Sequence, residues 1–184
     1  MKLFHFRKEP GRTWVRVKRL KAVILATAVA LMAVPAVASA TAARADVYSP
    51  SPTILRSWTQ GQCLDSNYNG NVYSLPCNWG NYQNWQIVYA GRGLNLESVY
   101  YLQDAQTRLC LENNTGAFIF TAPCLNSTEQ WWYANEYVDV HGHTVINFET
   151  YALNGCLGAN VPNGVPYVYP TCYTGGYQDW KPGY

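Results

Sequence analysis

The sequence predicts an all-β domain assembled from three similar repeats. The tripeptide Gln-x-Trp occurs three times at spacings of 47 and 48 residues, at Gln83–Trp85, Gln130–Trp132 and Gln178–Trp180. Short runs of β-branched and aromatic residues alternate with clusters of Gly, Asn and Pro, and no stretch of 12 residues keeps a helical period without a breaker. Self-similarity at a fixed period indicates one supersecondary unit that is used three times around a shared core.

Strand and turn signals follow one another along the chain in the same order in each repeat. Strands are predicted at Val72–Leu75, Trp85–Val88, Phe118–Phe120 and Tyr167–Tyr169. Asn-Gly dipeptides at 69–70 and 163–164 predict tight turns at equivalent places of the first and third repeats. Residues 46–53, with two prolines, form a short lead-in, and the domain covers 54–184 with repeats at about 54–98, 99–144 and 145–184.

The first 45 residues have the layout of a secretory signal peptide. A basic head precedes an apolar run from Ala22 to Val34, and small residues then offer cleavage after Ala40 or Ala45. The apolar run of 13 residues is too short for a spanning helix, which needs roughly 20. We therefore expect an exported, extracellular protein of bacterial type.

The mature chain is acidic although the whole sequence is not. After cleavage at Ala45 it has 139 residues with four Lys and Arg against ten Asp and Glu, a formal net charge of −6. Four scattered cations do not favour nucleic acid or an anionic membrane as a partner. The 15 tyrosines favour neutral ligands with flat apolar faces. We expect one domain, a monomer without membrane insertion.

Six cysteines, all in the mature part, predict a disulfide framework in an oxidising compartment. Sequence alone permits 15 pairings. In each repeat the first cysteine precedes the second by 14, 14 and 16 positions, and equivalent units should close equivalently. This predicts Cys63–Cys77, Cys110–Cys124 and Cys156–Cys172. A zinc site is not favoured, because cysteine pairs two to four residues apart are absent from the sequence.

Each repeat carries the pattern Cys-Leu-[Asp/Glu] … Cys … Gln-x-Trp, except that the third repeat lacks the acid. In this pattern the chain resembles the ricin B-type lectins, also classed as carbohydrate-binding module family thirteen. The resemblance spans Ile54 to Tyr184. It implies a β-trefoil, with six barrel strands, three capping hairpins and up to three sugar sites called α, β and γ. The implied function is non-covalent binding of a glycan or polysaccharide, without a cofactor. The alternative is a protein-interaction or inhibitor module that keeps the scaffold with degenerate sugar sites.

Asp65 is the first candidate for sugar contact. It follows Cys63-Leu64, where members of the resembled family place a carboxylate that accepts two sugar hydroxyls. The alternative from the residues alone is an exposed aspartate that caps a turn. Glu112 holds the same place in the second repeat, and Gly158 removes the carboxylate from the third.

An aromatic ring is the second requirement, since sugar C–H groups stack on π systems. Tyr73, Phe120 and Tyr169 lie three or four positions before the second cysteine of each repeat. Packing of an outer strand face is the alternative for each of them, and for Phe120 it is the favoured one. We expect Tyr73 to be the better platform, so that the first repeat is the principal site.

Amides complete the predicted sites. The resemblance implies that Gln83 and Gln130 lie near the sugar. The alternative from the residues alone is a structural role, in which a buried glutamine amide hydrogen-bonds to backbone groups. Relatives often have Asn before this Gln; Tyr82 stands there in the first repeat, so Asn81, with Asn78, is expected to substitute. The three motif tryptophans, Trp85, Trp132 and Trp180, are predicted to be core.

No enzyme is predicted. His141 and His143 would place two imidazoles on one face of a strand and could serve a metal. No carboxylate or cysteine at ligand spacing joins them, so an exposed loop or hairpin is the favoured interpretation, and no metal is expected. A nucleophile with its base and orienting group is not evident.

Overall fold

The structure is a computed structural model, and it describes residues 51–114, 116–160 and 162–183. The predicted signal peptide lies outside the described residues, as do positions 46–50 of the lead-in. In the part of the chain that is described, no helix has the length and apolar character to cross a membrane.

Twelve strands run in chain order through the described residues. Their bounds are β1 Thr53–Ser57, β2 Cys63–Ser66, β3 Val72–Leu75, β4 Asn84–Arg92, β5 Ser98–Asp104, β6 Leu109–Glu112, β7 Phe120–Pro123, β8 Trp132–Val138, β9 Thr144–Thr150, β10 Cys156–Gly158, β11 Tyr167–Tyr169 and β12 Asp179–Pro182. Each Gln-x-Trp is entered through a 3-10 turn, at Asn81–Gln83, Thr128–Gln130 and Gly176–Gln178. A fourth such turn is Leu94–Leu96. Thr53 pairs with Trp85, so the first strand takes one residue that the sequence assigned to the lead-in.

Six of the strands close a barrel in which all neighbours are antiparallel. Strand β1 pairs with β4, β4 with β5, β5 with β8, β8 with β9, β9 with β12 and β12 with β1. A closed barrel leaves no strand edge exposed for pairing with other chains. The all-β prediction is confirmed.

Three hairpins, β2–β3, β6–β7 and β10–β11, cap the barrel at equivalent registers. They attach to β1, β5 and β9 through the pairs Arg56↔Cys63, Gln103↔Cys110 and Glu149↔Cys156. The hairpins also form a ring, because each donates one backbone hydrogen bond of 2.8 Å to the next: Ser74 to Gly164, Thr121 to Gly70 and Val168 to Ala117. This is the predicted β-trefoil.

The ring explains one glycine. Gly70 has a φ of +84°, and a Cβ placed there would lie 2.7 Å from the carbonyl oxygen of Thr121. At the same junction the Thr121 backbone N–H donates to the Gly70 carbonyl oxygen. Gly70 is therefore needed both for its left-handed backbone and for the close approach of two hairpins.

The core is threefold in its chemistry as well as its shape. Trp85, Trp132 and Trp180 are each 0% exposed. Their indole N–H groups donate to the carbonyls of the residues directly before the carboxylate position, Leu64, Leu111 and Leu157, at 2.9, 3.1 and 2.9 Å. A buried indole is favourable only when its N–H is satisfied, and the start of each hairpin satisfies it. The same bond therefore fixes each hairpin on the core.

The three predicted disulfides, Cys63–Cys77, Cys110–Cys124 and Cys156–Cys172, are confirmed. Each joins the first strand of a hairpin to the loop that leads into Gln-x-Trp. In the chain-entropy model, closure of such loops stabilises the fold by about 3 kcal/mol each.

Candidate binding sites beside the Gln-x-Trp motifs

The motif glutamine closes the loop behind each disulfide. Gln83, Gln130 and Gln178 are 0% exposed. Each side-chain oxygen accepts the backbone N–H of the residue that follows the second cysteine, at 2.8, 2.8 and 2.9 Å. Each side-chain nitrogen donates to the carbonyl of the residue before that cysteine, at 3.0, 2.9 and 2.9 Å. The glutamine therefore has a structural role in all three repeats.

In the first repeat the hairpin places Asp65 directly opposite Tyr73. Directly opposed residues of an antiparallel pair project from the same face of the sheet, so the carboxylate and the ring lie side by side. Asp65 is 8% exposed and lies within β2. The alternative of an exposed turn-capping aspartate is thus wrong, because the strand continues through Ser66, whose hydroxyl donates to Asp104 at 2.9 Å.

The surroundings of Asp65 disfavour its charge. Burial raises the pKa of the Asp65 carboxyl above its ordinary value; the Gln83 amide acts in the opposite direction, and the nearby Asp104 carboxylate raises the pKa further. Asp104 is itself buried, and its Oδ1 accepts the N–H groups of Gln106 and Thr107 at 2.8 and 2.7 Å. Asp104 is therefore occupied as a turn cap, and Asp65 is the carboxylate that remains for a ligand.

Asn67 positions the ring of Tyr73. Its Nδ2 donates to the Tyr73 hydroxyl at 3.1 Å, while its Oδ1 accepts the N–H groups of Asn69 and Asn71 across the hairpin turn at 2.9 and 3.1 Å. The side chain of Tyr73 is half-buried. One asparagine thus holds both the turn and the aromatic ring beside Asp65.

The second repeat assembles a similar set. Glu112 lies directly opposite Phe120 in the hairpin. Its Oε2 accepts from Gln130 Nε2 at 2.9 Å, and its Oε1 accepts from Asn114 at 3.2 Å. Both Glu112 and Phe120 are half-buried, so the longer carboxylate reaches the motif amide and keeps some exposure.

In the third repeat the corresponding space is occupied by the protein itself. Gly158 lies opposite Tyr167, not Tyr169, and Asn160 donates to the Tyr167 hydroxyl at 2.8 Å just as Asn67 donates to Tyr73. Tyr167 is therefore the equivalent of Tyr73, and the sequence assignment of Tyr169 was wrong. A Cβ at Gly158 would meet Tyr169 Cε2 at 2.4 Å, so the Tyr169 ring lies where the carboxylate side chain of the other repeats begins.

Exposed aromatic residues near the first repeat's motif were not singled out from the sequence. Trp79 is 69% exposed and has a φ of +64°, a backbone conformation unusual for a bulky residue. Tyr68 and Tyr82, which are 62% and 38% exposed, meet edge to face with ring centroids 5.9 Å apart. Asn81, which opens the 3-10 turn, is exposed, and Asn78 Oδ1 accepts the Gly80 N–H at 2.8 Å. The only feature of the sequence that could have pointed to these residues is their proximity to the first Gln-x-Trp.

The two histidines lie at the turn between β8 and β9, as the hairpin interpretation expects. Asp139 accepts the N–H groups of His141 and His143 at 2.9 and 2.8 Å. Within the described residues, three His, Cys, Asp or Glu ligand atoms converge at Glu149, Cys156 and Cys172. Those two cysteines form a disulfide, so this group does not offer thiolates to a metal.

Comparison with known proteins supports the fold. No protein-family model matches the chain. The crystal structure of the designed threefold symmetric protein ThreeFoil superposes with a TM-score of 0.59 at 21% sequence identity, covering 72% of this chain and 97% of that chain. At this identity the similarity establishes the architecture alone: this chain is a β-trefoil of three repeats with pseudo-threefold symmetry.

Proposed function

We propose that the protein is a secreted carbohydrate-binding lectin of ricin B type, which binds a neutral glycan or polysaccharide non-covalently and catalyses no reaction. The observation that supports this best is the arrangement in the first repeat. Asp65 lies opposite Tyr73 on one face of the hairpin, and the Gln83 amide interacts with the Asp65 carboxylate. An ionised carboxylate accepts two hydrogen bonds from neighbouring hydroxyls more strongly than a neutral group does.

The energetics of Asp65 favour a ligand role over a structural one. Its pKa is raised chiefly by burial, which means that the fold itself gains nothing from its charge at neutral pH. A carboxylate that the fold disfavours, beside a positioned aromatic ring, is typical of functional sites. Hydroxyl donors from a sugar would compensate the lost hydration of this carboxylate.

The second repeat supplies a weaker site through Glu112, Phe120 and Gln130. Phe120 has no polar edge, and Glu112 already accepts two side-chain hydrogen bonds. The third repeat binds no sugar at the equivalent place, because the Tyr169 ring fills it. Two weak sites on one rigid domain would gain avidity on a repeating polymer if its spacing allows both to be occupied.

The direct test is a glycan and polysaccharide array that is probed with the mature protein and two variants. Asp65→Asn keeps the size of the side chain and removes its charge, and Glu136→Gln makes the same chemical change at an exposed position of β8. Wild type and Glu136→Gln should bind the same glycans, and Asp65→Asn should lose most of the signal. Equal binding by Asp65→Asn would refute the assignment of the site. Absence of any bound glycan would favour the protein-interaction module instead.

A further inference from the structure

A cavity of about 480 Å³ lies between the β8–β9 turn, the loop after β1 and the loop before the last Gln-x-Trp. This volume falls within the range of small-molecule sites. Its lining includes Trp58, Tyr137, Asp139, Val140, His141 and Asp179. None of these residues belongs to the candidate sugar sites described above, so the cavity needs a separate explanation.

Asp179 contributes a buried carboxylate with one oxygen that lacks a partner. The residue is 0% exposed. Its Oδ1 accepts hydrogen bonds from the Tyr137 hydroxyl and from the Gly175 N–H, the latter at 3.2 Å. Its Oδ2 has no hydrogen-bond partner among the described residues. A buried carboxylate oxygen without a donor is costly, and a fold seldom keeps one without a use.

Asp139 repeats this arrangement on the opposite element. Its Oδ1 accepts the N–H groups of His141 and His143, while its Oδ2 is buried without a partner, and the side chain is 7% exposed. Burial is the main cause that raises the pKa of Asp179 above its ordinary value. The negative charge of Asp139 raises the pKa of Asp179 further, so the two carboxylates also interact. The cavity wall thus carries two carboxylates, each with one oxygen committed to the protein and one without a donor.

The chemistry that matches this wall is a cation that also donates hydrogen bonds. A metal ion is not favoured, because in the described chain these carboxylates and histidines do not form a group of three converging ligands. Trp58 supplies an aromatic face that already attracts a cation, since Lys181 Nζ lies 5.7 Å from its ring centroid. The His143 ring packs against the same indole, with the two ring centroids 4.5 Å apart.

We propose that this cavity binds a small organic cation, a primary ammonium group on an apolar body. Asp139 and Asp179 supply the negative charge that holds the ammonium, and Trp58 contacts the apolar body. Gly175 and Gly176, which line the same cavity with φ of +99° and +73°, have no atom within 4 Å of an added Cβ, so this wall leaves space for the ligand. The site is independent of sugar binding at Asp65, and either proposal can fail without the other.

The test compares benzylamine with benzyl alcohol, which have similar shape and differ in charge. Isotope-labelled mature protein is titrated while the Gly175 and Gly176 amides and the Trp58 indole N–H are followed by NMR. Benzylamine should shift these signals saturably, and benzyl alcohol should bind at least about tenfold more weakly, since it carries no positive charge to attract the two carboxylates. Absence of saturable shifts at these groups, or equal binding of the two compounds, would overturn the proposal.

A charge at the mouth of the cavity provides a variant that preserves the fold. Val140 lines the cavity and is 95% exposed. Val140→Lys should weaken benzylamine binding at least about fivefold through repulsion, whereas the neutral Val140→Gln should not. Leu96→Lys adds the same charge at a position 72% exposed outside the cavity lining and should bind as wild type does. If Val140→Lys binds like Val140→Gln, the ammonium is not held in this cavity.

Discussion

Replacement of Gln178 by leucine would separate the structural role of the motif glutamine from any contact with sugar. The third repeat has Gly158 in place of a carboxylate, so Gln178 serves only its own loop. It is fully buried, accepts the Tyr173 N–H at 2.9 Å and donates to the Thr171 carbonyl at 2.9 Å. Leucine keeps the approximate volume and leaves both backbone groups without a partner. At about 1–3 kcal/mol for each of the two unpaired groups, we expect a loss of about 2–6 kcal/mol in the free energy of unfolding.

The assay is equilibrium unfolding in urea with the disulfides intact. The midpoint should fall while the m-value stays unchanged, because the surface exposed on unfolding is the same. Gln86→Leu is the matched control, since Gln86 is a half-buried glutamine on β4, and its change should remain within about 0.5 kcal/mol. A loss below about 0.5 kcal/mol for Gln178→Leu would show that water replaces the amide, and would refute the structural role.

Three further outcomes are expected from the same unfolding measurements. Trp132→Ala should lose about 3–5 kcal/mol, because a fully buried indole and its bond to Leu111 are both removed; a change near zero would contradict the core assignment. Gly70→Ala should lose about 1–3 kcal/mol, since its φ is +84° and the added Cβ would lie 2.7 Å from the Thr121 oxygen; unchanged stability would mean that the hairpin junction yields freely. Asp65→Asn should be more stable than wild type at pH 7, because the raised pKa of Asp65 makes its ionised form unfavourable in the fold. That advantage should disappear as the pH falls below the ordinary value of 3.8 and wild-type Asp65 becomes protonated; a constant difference across this range would contradict the burial effect.

The fold was predictable because the same residue types recur at nearly constant spacing in each of the three repeats. Each repeat has the same disulfide, the same glutamine bonds to the loop and the same indole bond to a leucine carbonyl. In the first repeat these contacts are made by Cys63, Cys77, Gln83 and Trp85. A contact that occurs in all three repeats can be predicted from the sequence, because its residues keep nearly the same separation along the chain in each repeat.

Features that break the symmetry were not predictable in the same way. The third repeat has 16 positions between its cysteines instead of 14. One extra residue lies in the hairpin before Tyr167 and the other between Tyr169 and Cys172, as the pair Gly158↔Tyr167 shows. Counting back from the cysteine therefore selected Tyr169. The burial of Asp65 was missed because Ser66 and Asn67 suggest a turn, whereas Ser66 is held in the strand by Asp104.

The cavity lined by Trp58, Asp139 and Asp179 could not be predicted from the sequence. Asp179 stands at the variable position of Gln-x-Trp, and its partner Tyr137 is 42 residues away in the chain. The motif does not specify the identity of either residue, and only closure of the barrel brings β8, β9 and β12 together. Sites that arise between repeats leave no periodic signal in the sequence.

The measurement that tests the central proposal most directly is the stoichiometry of sugar binding by titration calorimetry. An oligosaccharide from the glycan that the array selects is titrated into wild type, Asp65→Asn, Glu112→Gln and the double variant. We expect two sites per chain in wild type, one weaker site after Asp65→Asn, one stronger site after Glu112→Gln and no binding by the double variant. Sugar binding that persists in the double variant, or three equal sites in wild type, would contradict the proposal.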